Sequence, residues 1–320
     1  MTTAAHTALD ALAGTVVRHR RSRTLTQMDN TWYTLLTLNT ANHFDVAEAE
    51  RQGLGRLMMN STFTLANVFG ILSHEFGDNA PRRMAVESVR LVKSLYADDS
   101  LSVESSVGRV DSGRVPIKST GLNQHGEAIV ELAWSLPLQA PSIAELLANA
   151  ATDAPLLDAD RSFATLAFAP AFEDFTVGSR IDHGTGRTLL RDESVWMALL
   201  SMRQGGHYVD LAYASADGLR DILVDEGFVL ATVLGLGVKH STQAAVANLG
   251  WQGIRFHHPV YPNDTIYSES VVTGARESSS RPGQGIVSLH TIGRNQRDEV
   301  VLSYDRSFLT YRRDARPAGL

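Results

Sequence analysis

The 320-residue chain predicts an α+β fold of two repeats, each a curved antiparallel sheet wrapped around a central buried helix. Three observations predict it. The first is an internal repeat, whose detection decides the reading of the whole chain. "GLGRLMMNSTFTLANVFG", Gly53 to Gly70, lies without a gap on "GLRDILVDEGFVLATVLG", Gly218 to Gly235, so that Phe63, Leu65, Ala66 and Gly70 meet Phe228, Leu230, Ala231 and Gly235. The same offset sets Asp99 of "YADDSL" on Asp264 of "YPNDTI". An offset one residue shorter sets Trp32 on Trp196 and His43 on His207, and "GLNQ" meets "GRNQ" after an insertion around "SSSRPGQG". The second observation is a helix-length stretch in each half, about 60–76 and 225–240, that is apolar on nearly every face. A surface helix keeps a polar face, so these two must be enclosed. The third is the alternation in runs such as "SVESSV" and "VVLSYDRSFL", the period of half-buried antiparallel strands.

Each half follows one order of elements. A polar-punctuated segment with the histidine comes first and the apolar helix second. Strand-like runs follow: "MAVESVRLVKSL", "LSVESSVGRV", "RVPIKSTGL" and "AIVELAWSL", then "GIRFHHPVY", "TIYSESVVTGA", "GIVSLHTIG" and "VVLSYDRSFLTY". One continuous sheet joining the two copies would cover both helices. The first repeat is placed at 1–137 and the second, read as a degenerate copy by its altered motif, at 171–320. The Ala-, Asp- and Pro-containing stretch between them, 138–170, reads as a linker able to hold a short helix.

Composition narrows the function. A net charge of −6 and a pI near 6.0 leave no basic excess for a phosphate backbone, so nucleic acid is not an expected partner. The chain has no Cys, which excludes disulfides, thiolate metal sites and cysteine nucleophiles and suits a reducing cytoplasm. Asp10 interrupts the opening segment where a signal peptide needs an apolar core, and the longest apolar run, 227–238, is too short to span a bilayer. The expectation is a cytoplasmic protein that does not enter the membrane.

The informative anomaly is "LNTANHFD", Leu38 to Asp45, a polar cluster following the apolar "WYTLLT". With "GRLMMNST" and the second-half run "QAAVANLGWQGIRFHHPVYPNDTIYSESVV", it resembles the MaoC-like hydratases and dehydratases of the double hot-dog fold, and most of all mesaconyl-CoA hydratases (methylmalyl-CoA dehydratases). The resemblance covers most of residues 24–312. It implies a hydro-lyase that reversibly adds water to a branched or dicarboxylic enoyl-CoA, without metal or redox cofactor, coenzyme A entering as part of the substrate. Two alternatives stay open: a hot-dog acyl-CoA thioesterase, and a non-catalytic acyl-CoA-binding protein. A homodimer is compatible with the family.

Hydration of an enoyl thioester needs a base for water, a proton for Cα and donors for the oxyanion. The family motif supplies the first two from an Asp and a His five residues later. His43 matches the His. Asn39 stands near the Asp position, four residues away and as an amide, so it can orient water or carbonyl but accept no proton. His43 is then the base, helped by Asp45 or by the substrate's own carboxylate. Asn60, Ser61 and Thr62 stand at the start of the first apolar helix, where free N–H groups and the helix dipole favour an oxyanion. A substrate carboxylate needs a cation, for which Arg56 and then Arg203 are the candidates.

Other features carry plainer readings. Arg18, Arg20, Arg21 and Arg23 form a solvated face in preference to a CoA phosphate site. Asp225 and Glu226 are ordinary helix N-terminal acids, Asp99 and Asp264 are turn residues, and adjacent His257 and His258 point to opposite strand faces, unlike metal ligands. Substrate is expected to enter at the junction of the halves.

Overall fold

The computed structural model describes residues 12–78, 80–138, 163–164 and 169–317. In the first half β1 (Val16–Arg18) and β2 (Arg23–Thr24) lead into α1 (Gln27–Leu36), a 3-10 turn (Ala41–His43), α2 (Val46–Arg51), α3 (Ser61–Phe76) and α4 (Ala80–Arg83). β3 (Ala85–Leu91), β4 (Ser100–Val107), β5 (Arg114–Leu122) and β6 (Ala128–Pro137) complete it. The second half repeats the plan with β7 (Phe163–Ala164), β8 (Arg180–Asp182), β9 (Arg187–Thr188), α5 (Arg191–Leu200), α6 (Gly206–Val209), α7 (Leu211–Ala216) and α8 (Glu226–Gly237). Its long strands are β10 (Ala245–Phe256), β11 (Thr265–Glu277), β12 (Gln284–Arg294) and β13 (Val300–Tyr311). The linker expected over 138–170 lies almost wholly outside the described residues.

Strand order is the same in both halves: β4-β5-β6-β3 in one and β11-β12-β13-β10 in the other. The two sheets fuse where β10 pairs antiparallel with β3, Gly250 opposite Arg90 and Trp251 opposite Val89. The expected continuous sheet around two buried helices is what the chain forms. In α3 every residue from Thr62 to Ser73 is buried, and in α8 every residue is, because sheet covers one side of each helix and the other helix covers part of the rest. Packing of α3 on α8 is close: a Cβ on Gly227 would lie 2.5 Å from the Cβ of Ala66.

Turns repeat down to their hydrogen bonds. Asp99 accepts from the N–H of Tyr96 and the amide of Gln124; Asp264 accepts from the N–H of Tyr261 and the amide of Gln296. Both acids are the turn residues the sequence predicts. The arginine run is not a free phosphate surface. Arg18 pairs with Glu104 at 3.0 Å, Arg20 with Glu75 at 3.3 Å and Arg23 with Asp29 at 2.9 Å.

Among the described residues, no helix is long and apolar enough to cross a membrane.

Candidate active site

α1 begins at a Thr26 capping box, in which the Thr26 hydroxyl accepts from the N–H of Asp29 and the Asp29 carboxylate accepts from the N–H of Thr26. This sets a buried stripe of Asn30, Tyr33 and Thr34, spaced to face inward together. After α1 the chain reverses through Leu38, held at φ 56, and enters the 3-10 turn that carries His43. Asp45 then starts α2 by accepting from the N–H groups of Ala47 and Glu48. Its carboxylate is therefore a helix cap, not an aid to the imidazole. Asn42 is also structural: its amide donates to Gln52 at 2.7 Å and its oxygen accepts from the Thr40 hydroxyl.

His43 is half-buried, and its Nδ1 lies 3.0 Å from the carbonyl oxygen of Met58. A carbonyl only accepts, so Nδ1 carries the proton and Nε2 is the basic nitrogen. Among the described residues Nε2 has no hydrogen-bond partner, and it keeps some exposure to solvent. Loss of hydration lowers the imidazole to about 4, partly opposed by the Met58 hydrogen bond. At neutral pH this is an uncharged, oriented base.

Asn30, which sequence reasoning missed, connects the imidazole segment to the start of α3. Its amide donates to the carbonyls of His43 at 2.9 Å and Met58 at 3.0 Å, and its oxygen accepts from the N–H of Asn60 at 2.8 Å. Gln27 donates to the His43 carbonyl as well. The available signal was an amide at the first position of a buried helical stripe.

At the helix start, Asn60 and Thr62 act differently from the expected donors. Asn60 is fully buried, its oxygen accepts from the Thr62 N–H and hydroxyl, and its amide reaches Thr34. Both side chains are spent on the cap, so neither serves a ligand. Ser61 remains. It is half-buried, and its main-chain N–H has no acceptor among the described residues, as the first turn of a helix leaves it. Its hydroxyl meets the amide of Asn248, from β10 of the other repeat, at 3.4 Å.

Asn39 is half-buried; its oxygen accepts from the N–H of Thr40, and the structure does not place it on His43. Arg56 is exposed and stacks on the Tyr96 ring, 3.3 Å from its centroid, just upstream of the α3 start. Arg203 is not brought to this site. It occupies the second-repeat position equivalent to Asn39, is 1% exposed, and pairs with Asp225 at 3.2 Å and Glu226 at 2.9 Å. A guanidinium already neutralised by two buried carboxylates is not a free partner for a substrate acid.

The second helix start is accordingly filled. Tyr208 donates to Glu226 and stacks under Arg203, Asp225 caps α8 through the Phe228 N–H, and His207 turns away onto Asp217 at 2.7 Å. With two acids sharing one cation in a dry setting, burial pushes Asp225 up to about 7. A small cavity there is lined by Arg82, Glu226, Phe256 and His258 among others. Among the described residues no group of three His, Cys, Asp or Glu is placed to hold a metal.

The first repeat thus presents an oriented neutral imidazole tied to an uncapped main-chain donor, while the second has closed the equivalent place with charge. A family model described as Mesaconyl-CoA hydratase matches residues 152–319, more than half of the chain. The chain belongs to the mesaconyl-CoA hydratase family. A second model, MaoC like domain, matches residues 9–128, the part that carries His43 and Ser61. Among curated relatives, a Mesaconyl-CoA hydratase of Cereibacter sphaeroides is 39% identical over 46% of this chain and 43% of its own length. A Beta-methylmalyl-CoA dehydratase of Chloroflexus aurantiacus is 36% identical over 45% and 40%. These alignments span less than half of either relative. A putative MaoC domain protein dehydratase from Chloroflexus aurantiacus superposes over 94% of this chain and 96% of its own, with TM-score 0.78 at 22% identity. A double hot-dog protein of Mycobacterium tuberculosis superposes over 95% and 98%, with TM-score 0.67 at 15% identity. Both share the fold: this family member is a double hot-dog protein.

Proposed function

We propose that this protein is a hydro-lyase that adds water reversibly to the double bond of an enoyl-CoA thioester, with a branched or dicarboxylic acyl group of the mesaconyl type. The observation that carries the reading is the clamp made by Asn30, which ties the His43 carbonyl, the Met58 carbonyl and the Asn60 N–H together. It holds a base and an oxyanion donor in one place. His43 Nε2 takes a proton from water as the water oxygen bonds to Cβ. The π electrons move onto the thioester oxygen, where the Ser61 N–H and the positive end of α3 meet the charge. The proton on Nε2 then passes to Cα and the carbonyl reforms, so one imidazole serves as base and then acid, and every proton is accounted for. Asn39 can only orient water or carbonyl.

For the free carboxylate of a dicarboxylic substrate, Arg56 is the proposed partner, since it is exposed beside the helix start and has no carboxylate paired with it among the described residues. Side chains and main-chain dipoles carry the reaction, without a metal or redox cofactor. A homodimer in the cytoplasm, with substrate entering where the two repeats meet, completes the proposal; the Ser61 and Asn248 contact supports that junction.

Crotonyl-, mesaconyl-, itaconyl- and methylcrotonyl-CoA, each followed both by loss of enoyl absorbance and by release of free thiol, test the reading. Hydration without thiol release is expected. Thiol release would make the protein a thioesterase, and neither signal with any substrate would leave an acyl-CoA-binding protein. Arg56→Gln should raise KM severalfold for mesaconyl-CoA and leave crotonyl-CoA unchanged; equal effects on both would remove Arg56 from the carboxylate site.

A further inference from the structure

The hydroxyl of Ser61 and the strand that faces it come from different repeats, and the strand is locally distorted where they meet. β10 slips register against β13 between Asn248 and Gly250. Gly250 sits at φ 139, and a Cβ there would lie 2.1 Å from the carbonyl oxygen of Val89. Only glycine tolerates that approach, so the bulge is built into the junction of the two sheets. Bulges of this kind turn a side chain out of the ladder and are frequent beside active sites. Here the extra residue is Leu249, which is exposed, and Asn248 just before it stays paired with Phe308 of β13. The Asn248 oxygen accepts from the N–H of Gly250 at 3.3 Å, which settles which end of the amide is which. The NH2 end therefore faces Ser61 Oγ.

This has a chemical consequence for Ser61. A hydroxyl that receives a hydrogen bond from an amide N–H must aim its own proton elsewhere. Beside it is the unpartnered N–H of the same residue at the start of α3. We infer that Asn248, presented by the second repeat, is a positioning residue that turns the Ser61 hydroxyl into a second donor for the thioester oxygen. The first-repeat site would then have a two-donor oxyanion hole that neither repeat could build alone. The proposal deepens the hydratase reading and rests on it.

The second helix start offers a contrast on the same molecule. Arg82, just before β3, donates to the carbonyls of His257 and His258 and lines one small cavity with Glu226 at the start of α8, the residue equivalent to Ser61. Both helix starts are thus met by the opposite repeat. In one case the meeting leaves a donor exposed, and in the other it contributes to a closed, charged cluster.

The test uses the full chain with Asn248→Ala, Asn248→Asp, Ser61→Ala and the double variant Asn248→Ala/Ser61→Ala. Asn248→Ala should lower kcat on the best enoyl-CoA by about a hundredfold to a thousandfold, the scale of a lost oxyanion donor, with KM little changed. Asn248→Asp should be slower still, because a carboxylate accepts the Ser61 proton. The double variant should be no slower than Ser61→Ala. Butyryl-CoA, which has no double bond to hydrate, supplies a readout independent of turnover: its carbonyl stretch should fall on binding to the wild type, and by less in Asn248→Ala and Ser61→Ala. Unfolding midpoints within about two degrees of wild type would show that the fold is intact. If wild type hydrates substrate and shifts the carbonyl, and Asn248→Ala does both equally well, the role of Asn248 is refuted alone. If wild type neither hydrates any enoyl-CoA nor shifts the butyryl carbonyl, the hydratase reading falls and takes this inference with it.

Discussion

His43 Nδ1 lies 3.0 Å from the carbonyl oxygen of Met58, and this one contact selects the tautomer that leaves Nε2 basic. Because desolvation lowers the ring to about 4, the acid limb of kcat/KM should fall near pH 4 instead of near the ordinary histidine value of about 6.5. His43→Ala should cost about 10² to 10⁴ in kcat. Initial hydration rates between pH 3.5 and 8 check both. A limb centred above pH 6 would mean a solvated imidazole, and an undiminished alanine variant would end its catalytic role.

Asn30 is expected to matter for both stability and rate, since its side chain satisfies three main-chain groups. Asn30→Ala should destabilise by about 1–3 kcal/mol, the cost of leaving buried groups unsatisfied, and should lower kcat more than KM by loosening the imidazole against the helix start. Urea unfolding and steady-state kinetics measure the two effects. A variant with native stability and native kcat would show that the clamp is dispensable.

Gly70 and Gly235 occupy equivalent places in α3 and α8, and each closes on the opposite repeat. A Cβ on Gly70 would lie 1.7 Å from the Ser201 carbonyl oxygen, and one on Gly235 would lie 1.7 Å from that of Thr37. Neither carbonyl can retreat without moving the turn after α1 or α5, so Gly70→Ala and Gly235→Ala should each cost roughly 1–3 kcal/mol or more. Chemical denaturation of both variants, with similar losses, is the expected result. Tolerance of either substitution would show that the inter-repeat contact is loose.

The Arg203 cluster makes the protein's stability depend on pH in a direction opposite to that from His43. Asp225 titrates near 7 when folded and near 3.9 when unfolded, so between those values the folded state holds the extra proton. Its stabilising share is complete below about pH 4 and is lost as pH rises through 7. Asp225→Asn should therefore flatten the decline in stability between pH 5 and 8, as followed by unfolding midpoints. For His43, whose folded value is depressed, the unfolded state binds more protons between about 4 and 6.5, and stability falls as pH drops through that window. Arg203→Met should destabilise by about 3–5 kcal/mol by stranding two buried carboxylates. Equal pH profiles for wild type and Asp225→Asn would contradict the assignment.

Much of this was legible in one dimension. The aligned apolar runs foretold two enclosed helices, and the paired "D-[ST]-[LI]" entries foretold turns that match to the hydrogen bond at Asp99 and Asp264. His43 and the N-terminal end of α3 were also visible, because a polar cluster and a helix start are local patterns. The misassigned residues were those whose role depends on distant partners. Arg203 reads as a cation in any sequence, but whether it is available depends on Asp225 and Glu226 beyond the next turn. Asn60 reads as a donor until its amide is seen on Thr34.

Sequence alone determined the repeated α+β architecture, the buried helices and the location of the imidazole, because hydrophobic period and local propensity are written along the chain. Tertiary structure decided which helix start stayed open, which tautomer His43 adopts, and that Asn248 of one repeat meets Ser61 of the other. The physical reason is that a hydrogen bond or ion pair between residues far apart in sequence has no spacing to announce it; it exists only after the sheets have curled and fused at β3 and β10.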